Sequence, residues 1–296
     1  MSAAMRIFAL APGLALALAL TLAGCSPDTP SALPPPPAPG ALDACCVNTP
    51  QMPAGIVAFA DDHSAKLLPW MRGTDLRRPR LVAHPEALRE VADLAEPLDV
   101  LAVSMKFTLA GRMNRGVMTH ALVYLGSEAE LRRAGLWSHP ALRPWHAAIR
   151  GGARFVEAID PAVRLAPPEI ALRVDSVAIL RPELGASARR RALKVLADAI
   201  GKGFDSRFRL DDDVSLYCTE LVTLAMPGLH LPERILYGRV VILPDDLALM
   251  AVKGEGLRLV AYLRGRRGGW DLLGAEALAA DLAQAWAPVP AVEPGD

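Results

Sequence analysis

The sequence predicts an α+β fold built around an antiparallel sheet. Segments with strand character lie mostly before segments with helix character along the 296 residues, whereas a doubly wound parallel sheet would alternate the two. The strand segments 153–159 and 163–166 are separated only by a break at Pro161, as in an antiparallel hairpin. Hydrophobic residues make up 52% of the chain, which is ample for a packed core.

The predicted strands are short apolar runs bounded by glycine, proline or polar residues. The run His120-Ala121-Leu122-Val123-Tyr124-Leu125, for example, ends at Gly126. Residues 104–119 are expected to form a loop or short helix, and residues 128–152 an insertion. The predicted strands are residues 98–103, 120–125, 153–159, 163–166, 174–180 and 257–263.

The predicted helices show apolar residues at helical spacing. In residues 187–200, Leu193, Leu196 and Ile200 share one face, as a core-facing helix requires. Ser187 is the expected N-cap of this helix, and Gly201 is expected to end it. The predicted helices are residues 85–94, 187–200, 215–226, 245–250 and 271–286.

The N-terminus has the features of a targeting segment. Arg6 precedes an apolar run over residues 7–23, which suits a signal peptide. The run ends in Leu22-Ala23-Gly24-Cys25, which resembles the lipobox of bacterial lipoproteins; the alternative is an ordinary signal peptide with an incidental cysteine. Seven prolines in residues 26–40 favour an extended tether. We predict a signal peptide over 1–24, lipidated Cys25 with a proline-rich tether over 25–54, and a domain over 55–290 at the outer membrane, facing the periplasm.

The composition argues against several functional classes. Lys+Arg and Asp+Glu number 32 each, so the chain lacks the basic surplus that nucleic-acid binding needs. It contains no CxxC or HExxH, and no GxxxxGK[ST] or GxGxxG, so no metal and no cofactor is predicted. The expected partners are a small-molecule, peptide or lipid substrate, and the membrane through the lipidated N-terminus.

Three polar or reactive residues lie at positions where such residue types are unusual, which indicates a functional role. Cys218 lies in the first turn of the helix predicted over 215–226, with Ser215 or Asp213 as N-cap, where the helix terminus favours the nucleophilic thiolate. The alternative is a small buried apolar cysteine. His120 opens a strand among apolar neighbours, and Glu157 lies in mid-strand, where a buried carboxylate needs a partner. A thiol, a base and a group that orients the base are the parts of a nucleophilic site.

These residues lie in an ordered set of blocks that resembles the YiiX-type permuted papain-like family, related to NlpC-type cell-wall hydrolases. In that family the histidine lies on an early strand and the cysteine on a late helix. The resemblance implies a permuted papain-like fold with Cys218 as nucleophile, His120 as base and Glu157 as the orienting residue. The blocks are Pro97-Leu98-Asp99-Val100-Leu101, Thr119-His120-Ala121-Leu122-Val123, Phe155-Val156-Glu157-Ala158, Gly201-Lys202-Gly203-Phe204-Asp205-Ser206-Arg207-Phe208, Tyr217-Cys218-Thr219-Glu220-Leu221-Val222 and Leu243-Pro244-Asp245-Asp246-Leu247.

The chain departs from the family pattern in places that spare these three residues. It has Leu98 where a glycine is usual and Thr119 where a serine is common. The expected activity is hydrolysis of an amide, with a cell-wall peptide as the first substrate class. The alternatives are a lipid ester hydrolase or acyltransferase on the same scaffold, and a non-catalytic envelope binding protein. Tyr217, Trp145 and His146 are candidate substrate-binding residues.

Overall fold

A computed structural model describes residues 40–47, 52–210 and 214–288. The fold is α+β, as predicted, and its centre is a nine-stranded sheet in the order β11-β10-β5-β1-β2-β3-β4-β6-β7. All neighbours in this sheet are antiparallel except β6 and β7, which are parallel. The strands are β1 Val100–Ser104, β2 His120–Tyr124, β3 Phe155–Ile159, β4 Ala162–Ala166, β5 Ser176–Pro182, β6 Gly203–Phe204, β7 Ser215–Leu216, β8 Arg234–Leu236, β9 Arg239–Val241, β10 Leu257–Gly265 and β11 Trp270–Leu273.

The helices cover both faces of this sheet. Strands β8 and β9 form a separate hairpin, and short 3-10 helices span Leu81–Ala83, Pro140–Trp145 and Pro227–Leu229. The α-helices are α1 Ala54–Gly73, α2 Pro85–Leu94, α3 Leu109–Met113, α4 Glu128–Arg133, α5 His146–Arg150, α6 Pro168–Ala171, α7 Ala186–Ala199, α8 Cys218–Ala225, α9 Pro244–Lys253 and α10 Ala275–Trp286.

The alternation of side chains along the strands separates two cores. Val100 and Ala102 of β1 pack in the larger core with α7, α8, α9 and α10. Leu101 and Val103 face the opposite side and pack with α2. This period of two is the ordinary consequence of strand geometry, and it fixes which face of the sheet each helix covers.

Three predicted details are wrong at element ends. Helix α8 begins at Cys218, because Ser215 and Leu216 pair with β6 instead of starting the helix, so Ser215 is not its N-cap; Asp213 lies outside the described residues. The N-cap of α7 is Gly185 and not Ser187. Residues 271–273 belong to β11, since Leu272 pairs with Leu263 of β10, and the last helix begins only at Ala275.

The folded part of the chain extends into the predicted tether. The signal peptide, Cys25 and the prolines before residue 40 lie outside the described residues. Residues 40–47 form turns, and both Cys45 and Cys46 are buried in the larger core with their Sγ atoms 2.8 Å apart. The described part of this segment therefore packs on the domain instead of extending away from it.

Helix α1 packs beside α3 and contacts the loop before α8 and strand β9. Among its residues only Ser64 is buried, and its hydroxyl lies 2.9 Å from that of Ser206. Asp61 forms a 2.6 Å ion pair with Arg239. The helix is thus held by polar contacts and leaves most of its surface exposed.

The sheet has a seam between β2 and β3. The two strands pair through only two positions, Val123 with Val156 and Tyr124 with Phe155. Toward His120, β2 continues to pair with β1 alone, while Glu157 continues in register with Arg164 of β4. The two strands therefore separate at the end of the ladder where His120 lies.

Candidate active site

Cys218 is the first residue of α8. The preceding residue, Tyr217, has an extended backbone, and its carbonyl accepts the first helical hydrogen bond from the Leu221 N–H at 3.0 Å. The Glu220 carboxylate accepts the Tyr217 N–H at 3.2 Å. N–H groups of the first turn have no acceptor within a helix, so their dipoles surround the thiol of Cys218 and favour its negative charge.

The start of α8 is fixed to the segment before α9. The Thr219 hydroxyl donates to the Ile242 carbonyl at 2.7 Å, and the Ile242 N–H donates to the Tyr217 hydroxyl at 3.2 Å. Tyr217 is buried, and the ring of Phe208 packs edge-on against it at 5.6 Å. Tyr217 therefore supports the position of Cys218 from the interior of the protein.

His120 and Glu157 form a buried pair across the seam. The His120 Nε2 atom lies 2.8 Å from Glu157 Oε2, and each residue is only 2% exposed. The other carboxylate oxygen, Oε1, accepts from Arg164 at 2.8 Å from Nε and 2.7 Å from Nη2. Burial raises the pKa of Glu157, but His120 and Arg164 outweigh this effect, so its pKa is lowered and the carboxylate is ionised.

The thiol of Cys218 completes the group. His120 Nδ1, the nitrogen that Glu157 does not hold, is buried and makes no hydrogen bond of standard geometry. Burial alone would lower the pKa of His120, but hydrogen bonding and charge from Cys218 and Glu157 raise it to about 9. For Cys218, burial raises the pKa, while His120, the Ala121 N–H and the charge of Arg72 lower it below its ordinary value. The structure thus brings Cys218, His120 and Glu157 together, and the lowered pKa of Cys218 and the raised pKa of His120 both favour a thiolate beside an imidazolium.

Asp245 positions the loop that leads into His120. Its carboxylate accepts from the Val117 N–H at 2.9 Å, the Met118 N–H at 2.5 Å and the Trp286 Nε1–H at 2.6 Å. Burial raises the pKa of Asp245 to about 6, although these hydrogen bonds oppose the rise. A side chain at Gly116 would place its Cβ 2.3 Å from Asp245 Oδ2, so glycine is required there. The Pro-Asp-Asp block was the only sequence signal for this role.

Trp145 and His146 lie in the insertion over residues 128–152. They have no described contact with Cys218, His120 or Glu157. The Trp145 Nε1–H donates to the Ala197 carbonyl of α7 at 3.2 Å. The His146 ring stacks on Trp137 with 3.7 Å between ring centroids. The insertion therefore covers α7, and the structure does not bring these two residues to Cys218.

The site is enclosed in this conformation. Cys218 is 5% exposed, and a cleft of about 1190 Å³ lies elsewhere, between α2 and α4, lined by Leu88, Tyr124, Glu130 and Arg154 among others. Within the described residues, no group of three His, Cys, Asp or Glu side chains could hold a metal ion.

Comparisons with protein-family models, curated proteins and solved structures found no match. The family resemblance of the sequence blocks therefore stays a prediction.

Proposed function

We propose that this protein is a cysteine hydrolase with a permuted papain-like fold of the YiiX type. The observation that carries the proposal is the placement of Cys218 at the start of α8, beside a buried imidazole whose other nitrogen is held by Glu157. A thiol in this setting is a nucleophile, since the helix terminus and the imidazolium both favour the thiolate. A structural cysteine would need neither partner.

The chemistry would proceed through an acyl-enzyme. The Cys218 thiolate attacks the substrate carbonyl carbon, and the resulting oxyanion lies near the N–H groups of the first turn of α8. The His120 imidazolium then gives its proton to the leaving amine or alcohol as the carbon–heteroatom bond breaks. His120, now neutral, takes a proton from water, whose oxygen attacks the thioester and releases the acid and the thiolate. Glu157 holds the ring orientation and supports its charge throughout.

A cell-wall peptide amide is the first proposed substrate, and a lipid ester is the second. The lipid alternative is favoured by a stripe on α1, where Ile56, Phe59 and Trp70 lie on one helical face and are 54%, 57% and 61% exposed. Exposed apolar side chains on one face of a helix are typical of contact with a lipid surface. The same scaffold could then transfer an acyl group to an alcohol instead of water.

We further propose that the domain is anchored in the cell envelope through a lipid on Cys25. The lipobox-like Leu22-Ala23-Gly24-Cys25 and the prolines that follow support this proposal. Within the part of the chain that the structure describes, no helix is long and apolar enough to cross a membrane. A lipidated N-terminus would face the periplasm and place the domain near both proposed substrates.

The proposal is tested with active-site reagents on the full-length protein. Iodoacetamide should abolish the hydrolysis of amide or ester substrates, and a fluorophosphonate should not, because the nucleophile is a thiol and not a serine. Cys218→Ser should lose the activity, while Cys45→Ser with Cys46→Ser, the matched control for the other described thiols, should keep it. If Cys218 reacts no faster than a model thiol and no hydrolysis is found, the protein is a binding protein and the proposal is wrong.

A further inference from the structure

Arg72 reaches the active site from the last turn of α1. Its guanidinium lies over the ring of Phe204, 4.4 Å from the ring centroid. Phe204 belongs to β6 and pairs with Leu216 of β7, two residues before Cys218. The edge-to-face contacts of Phe208 with Phe204 and with Tyr217 connect the same ring to the residue that precedes the nucleophile. The cation is therefore seated beside the start of α8.

The guanidinium has donors to spare. Its Nη1 atom is buried without a hydrogen-bond partner, and among the described residues no carboxylate forms an ion pair with Arg72. Two carboxylates act on Arg72 through their charge: Asp160, which has the larger effect, and Glu157, whose two oxygens are already occupied by His120 and Arg164. Arg72 is only partly exposed and has no direct ion-pair partner, so an anion that reached its free N–H donors would be bound strongly.

We propose that Arg72 determines substrate specificity by binding an anionic oxygen group, a carboxylate or a phosphate, next to the carbonyl that Cys218 attacks. The inference rests on the proposed function and adds the charge of the substrate to it. The planar fork of an arginine matches both of these anions, with two parallel N–H donors.

The thiolate of Cys218 is the strongest of the charges that act on Arg72, but Arg72 contributes little to the thiolate in return. The lowering of the pKa of Cys218 comes first from His120 and the Ala121 N–H, and Arg72 is the smallest of the named contributions. Burial lowers the pKa of Arg72, and the charges of Cys218, Asp160 and Glu157 only partly oppose this effect. An incoming anion would supply the charge that these neighbours do not.

The test compares two alkylating reagents of nearly equal shape, iodoacetate and neutral iodoacetamide, at Cys218 of the full-length protein. Peptide mapping by mass spectrometry locates the label. Arg72→Gln should lower the iodoacetate-to-iodoacetamide rate ratio about tenfold, since it removes one charge at short range. Arg72→Lys should keep part of the preference, and the matched control Arg78→Gln, which removes an exposed charge nearby, should keep all of it.

Protection by small anions distinguishes the two chemistries. Sodium acetate protects Cys218 from iodoacetamide if the site takes carboxylates, and inorganic phosphate protects if it takes phosphates, each against sodium chloride at equal ionic strength. Either protection should be lost in Arg72→Gln. If Cys218 is reactive in the parent but the rate ratio is the same in Arg72→Gln, the role of Arg72 is refuted while the hydrolase proposal stands. If Cys218 is unreactive in every variant, the hydrolase proposal itself fails.

Discussion

The raised pKa of His120 depends on two anions, and removing them one at a time gives a signed prediction. Burial lowers the pKa of His120, while hydrogen bonding and charge from Cys218 and Glu157 raise it. Glu157→Gln removes the carboxylate charge and keeps the side-chain shape, and Cys218→Ser removes the thiolate. In each single variant the pKa of His120 should fall, and in the double variant burial should prevail.

The magnitude follows from the structure. The rise from 6.5 to about 9 corresponds to roughly 3 kcal/mol in favour of the imidazolium. An opposite charge at hydrogen-bond distance moves a pKa by about one to three pH units. Each single variant should therefore bring the pKa of His120 down to roughly 6–8. The double variant should bring it below the ordinary value of 6.5.

The assay is a ¹⁵N NMR titration of the histidine rings, with His120→Gln to assign the signal among the six histidines. Chemical denaturation of each variant checks that the fold is kept. A pKa of His120 that stays near 9 in Glu157→Gln would refute the claim that the carboxylate supports the imidazolium. A double variant that titrates above 6.5 would refute the balance between burial and the two anions.

Further predictions concern turnover, labelling, stability and anchoring. Turnover should fall as the pH rises through about 9, because the leaving group then loses its imidazolium donor; a kcat/KM profile that stays flat there contradicts the mechanism. His120→Ala should slow iodoacetamide labelling of Cys218 near pH 6.5 by up to about 100-fold, and by more than Glu157→Gln does, as a free thiol is mostly protonated there; equal labelling of parent and variant argues for a structural cysteine. Asp245→Asn should lower the free energy of unfolding by roughly 2–4 kcal/mol, since one amide oxygen must serve three donors; an unchanged denaturation midpoint would show that the loop does not depend on it. Cys25→Ala should release the protein from membranes, and a mature N-terminus other than a lipidated Cys25, found by mass spectrometry, would exclude the anchor.

The strands and the buried helices could be predicted because their patterns are local. The run that begins at His120 has the length and apolar content of a strand, and the structure forms it over His120–Tyr124. Helix α7 was predicted from its apolar face, and Leu193 and Leu196 of that face are buried. Short-range periodicity is sufficient where an element buries one regular face.

The remaining elements depend on contacts that no local pattern contains. Helix α1 has one buried residue, Ser64, and contains Pro69, so it lacks the buried apolar face from which the other helices are predicted. Strand β11, Trp270-Asp271-Leu272-Leu273, lies directly before the Ala/Leu-rich helix α10, and its pairing with β10 is what separates it from that helix. The same holds for Ser215 and Leu216, which form β7 because they pair in parallel with β6 and therefore do not join α8.

Part of the candidate site can be predicted because some residue types are unusual at the positions they occupy. Cys218, His120 and Glu157 could be chosen because each is awkward in its element without a partner. Arg72 and Arg164 could not be predicted as site residues, because arginines are common on protein surfaces. Only the fold brings these two close to Cys218, His120 and Glu157. Their contributions come from tertiary contact alone.

The pair of His120 and Glu157 bridges the seam between β2 and β3, so it also affects where the sheet opens. On one side of the seam lie β11, β10, β5, β1 and β2, on the other β3, β4, β6 and β7, and only two register pairs join the halves. The imidazole–carboxylate bond therefore also links the two strands across this line, which has only two paired positions. In native-state hydrogen exchange, amides along this line should open at lower free energy than those between β1 and β5. Glu157→Gln should speed the exchange of these amides and leave the exchange of the β1–β5 ladder unchanged. A twist of one half of the sheet against the other would then separate His120 from Glu157 before the protein unfolds.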